Sequence, residues 1–263
     1  ENPTKPTKAM KLGSTIHDSI LSQHEFHLNY VILLDEDSKV KELRLFDRKT
    51  LQLRPSSIEI IKLTINKRTK AGREDYEALI KRMAGRTILG ASEYVVLKNV
   101  HESIKRNKLV HDFLKSGVLE QSFFWEDEKT GKMCKCKPDI INESIEYLAD
   151  IKTTEISAEE DQYELEIFKR EYYIQAAFYL EGINKALGAN FQGFNFIVIE
   201  TVAPYEINVM ELDSASIEKG EEVYRGRLDK ISDYEENPSK WRGYSQEIKS
   251  VSLPHWAWGK DIK

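Results

Sequence analysis

The chain has 263 residues, with 39 lysines and arginines against 44 aspartates and glutamates, a net charge of −5, and 40% apolar residues. That balance excludes a uniformly basic nucleic-acid coat and a disordered chain, and it is enough apolar material for a sizeable core. The longest apolar runs, 30–34 and 176–180, span about five residues where a bilayer crossing needs roughly 20, so no membrane partner is expected.

Cys134 and Cys136 stand too close for an ordinary disulfide, and no charged-then-apolar leader opens the chain, so a soluble, cytoplasmic protein is expected. The chain begins at Glu1 with a Pro/Thr/Lys-rich stretch, which reads as a C-terminal fragment of something longer. Charge is uneven along it. Residues 60–118 carry 13 basic against six acidic residues, a local +7, and 119–166 carry five lysines against 14 acids, a local −9. The first stretch could hold an anion and the second could solvate a loop or bind a metal.

In chain order, residues 7–22 place Leu12, Ile16 and Ile20 four apart and predict a helix with Gly13 and His17 on an adjoining face. Residues 30–34 and 40–46 predict two strands joined as a hairpin by the turn 35–38. Helical spacing follows over 74–83 and 91–114, and a strand-rich block then predicts 121–126, a turn at 127–131, 133–141 and 144–153. A long helix over 163–187 stops at Gly188; strands 194–201 and 206–212 and an amphipathic helix 214–234 complete the order. The sum is one α/β domain over 1–263, a central mixed sheet flanked by helices.

Chemistry concentrates in Lys137-Pro-Asp139-Ile-Ile141 on one predicted strand and Ala149-Asp150-Ile151-Lys152 near the end of the next. A hairpin of these strands brings Asp139 and Asp150 to one end of the sheet, with Asp150 and Lys152 on the same face and Ile151 on the other. Two carboxylates beside an ammonium suit phosphodiester hydrolysis: the carboxylates hold a hard cation and the lysine orients water and offsets charge. The plainer alternative is a surface ion pair. Three further features bear on the choice: His17 on the first helix, Gln175-x-x-x-Tyr179 on one face of the long helix, and Glu120 before the strand 121–126.

In this order the residues resemble the PD-(D/E)XK nuclease superfamily and its RecB-like branch. The wording of 9–17, 68–73, 120–125, 130–139 and 253–257 is similar to that of RecE-type recombination exonucleases of phages and prophages, over nearly the whole chain. The stretch 30–65 looks like an insertion relative to that family. The resemblance implies a PD-(D/E)XK core and a Mg2+-dependent exodeoxyribonuclease, with Mn2+ substituting. It further implies that the enzyme degrades linear double-stranded DNA 5′→3′ and leaves 3′ tails for a RecT-like annealing protein, working as a homo-oligomeric ring, a trimer or tetramer. Carried over by position, it makes His17, Asp139, Asp150 and the Ile151 carbonyl metal ligands and Lys152 the catalytic lysine. Gln175 and Tyr179 become residues that support the site or touch the scissile strand, and Glu120 a further carboxylate.

Other readings remain: a RecB-like endonuclease or end-processing nuclease of another system, or a DNA-binding relative that has lost the chemistry. An iron–sulfur member would need four cysteines. Arg68, Lys70 and Arg73 around Gly72 are the candidate phosphate contacts. Arg225, Arg227 and Lys230 are expected to face solvent, Cys134 and Cys136 to be strand residues rather than zinc ligands, and Trp256 and Trp258 to anchor the tail or a subunit contact.

Overall fold

The computed structural model describes residues 5–65, 67–240, 244 and 247–252. The first helix, α1 (Lys8–Leu21), begins where the Thr7 hydroxyl accepts the Met10 N–H at 3.2 Å, satisfying a donor that the first turn leaves open. It buries Ile16, Ile20 and Leu21, and α2 (Gln23–Asn29) follows directly.

The predicted hairpin after α2 is not formed. Strand β1 (Tyr30–Asp35) pairs in parallel with β4 (Glu59–Leu63) on one side and β5 (Thr87–Leu89) on the other, while β2 (Arg44–Asp47) folds back on β3 (Gln52–Pro55). The reason is burial. Tyr30, Val31, Ile32 and Leu34 are all inside, the pattern of a central parallel strand rather than of a half-exposed hairpin arm. The β2–β3 turn is fixed by Asp47, whose carboxylate accepts the Lys49 and Thr50 N–H groups at 2.9 and 2.8 Å. Helix α3 (Lys70–Arg82) lies between β4 and β5 and buries only Gly72.

The expected helix over 91–114 is two, α4 (Ala91–Arg106) and α5 (Lys108–Ser116). Asn107 ends the first in an extended conformation and caps the second, its side chain accepting the Val110 N–H at 3.2 Å. Strands β6 (Val118–Leu119) and β7 (Phe123–Glu126) come next. The expected strand 133–141 also divides, into β8 (Met133–Cys136), paired with β7, and β9 (Ile140–Asn142), paired with β6 and β10 (Tyr147–Thr154). Pro138, which has no N–H to give a ladder, sits at the break. The expected helix 163–187 becomes α6 (Glu160–Lys169) and α7 (Tyr172–Leu187), separated by Glu171 in the left-handed region at φ 57°. Then come β11 (Gly193–Glu200), β12 (Ile207–Glu211) and α8 (Ser214–Glu236).

The five-stranded sheet runs β12-β11-β10-β9-β6, with β10 and β11 parallel and the other pairs antiparallel. It is the mixed sheet the sequence predicts, with helices on both faces. On one face Ile140, Ala149, Ile151, Ile197 and Ile199 join α1, α4 and the small sheet in one core; on the other Ile141, Leu148, Phe194, Phe196 and Val198 meet α7 and the β7–β8 hairpin. The stretch 30–65, expected as an insertion, contributes Ile32, Leu34, Leu43, Leu45 and Phe46 to the first of these cores. Buried His101 fastens it to α1: the Phe46 N–H donates to Nδ1 and Nε2 lies against Ser19 Oγ, both at 2.9 Å, and burial holds the ring neutral by lowering its pKa to about 3. No helix of the described residues is long and apolar enough to cross a membrane. Residues 253–257, Trp256 and Trp258 lie outside the described residues.

Candidate active site

Residue pairing in the sheet assembles the centre. Ala149 lies opposite Ile140 in the β9–β10 ladder, so the next step of the same register sets Asp150 against Asp139. Asp139 closes that step itself, accepting the Ile151 N–H at 2.7 Å through Oδ2. From the other side α1 delivers His17, whose Nε2 is 2.8 Å from Asp139 Oδ1. The helix can come this close because residue 13 is glycine: a Cβ there would stand 2.8 Å from Thr153 Oγ1 on β10.

Asp150 and Lys152 project to the α7 face, as strand alternation requires, and meet Gln175 from the first turns of that helix. The three side chains close on one another. Lys152 Nζ is 2.6 Å from Asp150 Oδ2, Gln175 Nε2 donates to Asp150 Oδ1 at 2.8 Å, and Lys152 donates to Gln175 Oε1 at 2.9 Å. The ammonium also lies 4.2 Å from the centre of the Tyr172 ring, a cation–π contact. Tyr179, one turn beyond Gln175, has its phenol raised by burial and by the nearby Asp150 charge. Glu120 joins at the edge in the left-handed region, φ 51°. Its N–H donates to the Asp139 carbonyl at 3.0 Å, and its carboxylate accepts Ser22 Oγ at 2.5 Å and Lys137 Nζ at 2.8 Å.

The electrostatics follow from packing so many charges together. Asp150 is only 4% exposed; burial, then the Asp139 charge, raise its pKa to about 6 against the help of Lys152 and Gln175. For His17, burial alone would lower the pKa, but Asp139, Asp18 and Glu120 outweigh it and raise it to about 10. Glu120 is lowered despite its burial because Lys137 and Ser22 donate to it. The carboxylates thus pair with the His17 imidazolium and the Lys152 ammonium. Among the described residues no three histidine, cysteine or carboxylate side chains stand in ligating geometry. The donor set nevertheless suits a hard or borderline divalent ion, with two carboxylates close enough to repel each other and one imidazole beside them. An open cleft of about 310 Å³ lined by Gly13, Ser14, His17, Asp18, Ile151 and Thr153 reaches this centre. A larger cavity, about 530 Å³ between α5 and β11–β12, has no basic residue in its lining and lies away from the centre.

The structure thus brings together His17, Glu120, Asp139, Asp150, Ile151, Lys152, Gln175 and Tyr179. Other expected groups lie elsewhere. Arg68 is exposed before α3, Lys70 is 3.9 Å from Glu74, and Arg73 donates to the Arg68 carbonyl at 3.3 Å. Arg225 does not face solvent: its guanidinium bonds Asp127 in the β7–β8 turn and Glu181 on α7, pinning α8 to both. Arg227 is exposed and pairs with Glu171 at 2.6 Å, and Lys230 is exposed. Cys134 and Cys136 are buried, free strand residues, the latter with its thiol pushed up to about 12 by burial. Sequence reasoning missed Asp18, Ser22 and Tyr30. Only Asp18, adjacent to His17, carried a signal that could have been read.

A family profile described as a PDDEXK-like domain of unknown function, DUF3799, matches residues 1–253. The chain belongs to this PDDEXK-like family. Pro138-Asp139 and Asp150-Ile151-Lys152 supply the residues for which the fold is named. Among solved structures, a proposed exonuclease of Eubacterium rectale aligns at 13% identity, covering 70% of this chain and 73% of its own, with a TM-score of 0.46. An alkaline exonuclease of Laribacter hongkongensis aligns at 18% identity, covering 65% and 88%, with a TM-score of 0.28. No curated protein matches the chain.

Proposed function

We propose that this PDDEXK-like domain is a divalent-metal-dependent nuclease, and specifically a 5′→3′ exodeoxyribonuclease of linear double-stranded DNA. The observation that carries the nuclease reading is the closed set Asp150–Lys152–Gln175, with Asp150 set opposite Asp139 by the sheet register and His17 against Asp139. The exonuclease polarity, the 3′ tails left for a RecT-like annealing protein in recombination, and a trimeric or tetrameric ring are supported by the RecE-type wording of the sequence.

In this reading His17, Asp139, Asp150 and the Ile151 carbonyl hold Mg2+, with Mn2+ substituting. The bound ion supplies a Lewis acid and a water of lowered pKa. Lys152 faces the scissile phosphate, orienting the attacking water and offsetting the negative charge that builds up in the transition state. Gln175 keeps the lysine and Asp150 in register through its two bonds. Glu120, fixed by Ser22 and Lys137, holds the Asp139 backbone and adds a carboxylate at the rim.

The test is digestion of linear and covalently closed circular DNA with Mg2+, using duplexes labelled separately at each 5′ and 3′ end. An exonuclease of this polarity attacks only linear DNA and releases the 5′ label first. Attack on both forms would make it an endonuclease, and attack on neither a binding protein.

A further inference from the structure

The second nitrogen of His17 has a partner that the site chemistry above leaves unused. Asp18 Oδ1 lies 3.6 Å from His17 Nδ1, an ion-pair separation rather than a hydrogen bond. Neighbours on a helix point about 100° apart, so Asp18 needs another hold to stay on the imidazole. Tyr30 provides it, donating its hydroxyl to Asp18 Oδ2 at 2.6 Å. Tyr30 is itself immobilised: it is 6% exposed, stacked on Phe26 with ring centres 4.5 Å apart, and opens the central strand of the small parallel sheet. The imidazole is thereby held at both nitrogens, by Asp139 from the main sheet and by Asp18 backed from the small one.

We propose that Tyr30 and Asp18 are positioning residues that aim His17 Nε2 at the metal position, and that the 30–65 segment serves the site through this link. The proposal rests on the nuclease reading. Its physical basis is general: a ligating imidazole keeps its orientation and basicity when its other N–H faces a carboxylate.

The experiment is calorimetric titration of the DNA-free chain with Mn2+, alongside its metal-free melting temperature, for the parent, Asp18→Asn, Tyr30→Phe, the double variant of these two, His17→Ala, and His17→Ala combined with Asp18→Asn. Asp18→Asn is expected to weaken Mn2+ binding by ~10–100-fold and Tyr30→Phe by less. The double variant should be no worse than Asp18→Asn, and Asp18→Asn should add nothing in the His17→Ala background. In turnover assays the Mn2+ concentration for half-maximal rate rises while kcat at saturating metal changes little. A merely structural pair would lower the melting temperature and leave affinity and half-saturation unchanged. The relay is overturned, with the metal site intact, if His17→Ala weakens binding and Asp18→Asn does not, or if Asp18→Asn weakens it equally without His17. If parent and His17→Ala bind Mn2+ alike, or neither binds it, the metal-site reading falls and the relay with it.

Discussion

Asp150 and His17 both have pKa values raised by folding, so both lose stability as pH rises, in different windows that can be measured separately. Asp150 has its pKa raised from 3.8 to about 6, so the folded state prefers it neutral: metal-free stability falls as pH rises through that window. Asp150→Asn should therefore melt a few degrees higher than the parent at pH 8 in chelator while losing cleavage, and an unchanged or lower melting temperature would refute the electrostatic account of this carboxylate. His17, raised from 6.5 to about 10, adds stability that is fully present below pH 6.5 and lost as pH rises through 10. A divalent ion must displace that proton. Apparent Mg2+ affinity should then rise up to tenfold per pH unit between 7 and about 9. Calorimetry in two buffers of different ionisation enthalpy should show about one proton released. A pH-independent affinity with no proton release would place the ion away from His17.

The elements explain how such residues meet, and α1 is the sensitive one. Gly13→Ala puts a Cβ 2.8 Å from Thr153 Oγ1, so either that hydroxyl turns away or α1 moves off β10 and carries His17 with it. We expect a loss of ~1–3 kcal/mol in stability and weaker metal binding, with Thr153→Ala restoring much of both. Failure of that rescue would mean the contact does not set the helix position. What could be read from sequence divides along the same lines. The strand of Asp150 and Lys152, the His17 helix and the face of Gln175 and Tyr179 were legible because period and spacing fix which side chains share a face, whereas Asp139, expected within a strand, lies just before β9. The pairing of β1 was not, since a buried apolar run does not name its neighbours, and the helix breaks at Asn107 and Glu171 were hidden inside continuous helical spacing. Tyr30 and Arg225 reach partners 12 and 98 residues away in the chain, Asp18 and Asp127, through tertiary packing that no local pattern encodes.

Over the whole molecule, the question is how a chain of net charge −5 holds a polyanion. Part of the local −9 of residues 119–166 is already used: Glu120, Asp139 and Asp150 converge on the centre, and Asp127 is buried against Arg225. The +7 of residues 60–118 includes α3, where only Gly72 is buried and whose Lys70 is 86% exposed. If that surface contacts duplex phosphates, Arg68→Ala with Lys70→Ala weakens binding to blunt DNA and flattens its salt dependence by about 0.9 per lost contact, with metal affinity unchanged. Parent-like affinity and slope would return the stretch to a solvated face. The most direct test of the account is single-turnover cleavage of linear duplex DNA by the parent and by Lys152→Ala, each with Mg2+ and with excess chelator. The account predicts cleavage by the parent with Mg2+ alone and a loss of several orders of magnitude in Lys152→Ala. Comparable rates in chelator, or in Lys152→Ala, would contradict it.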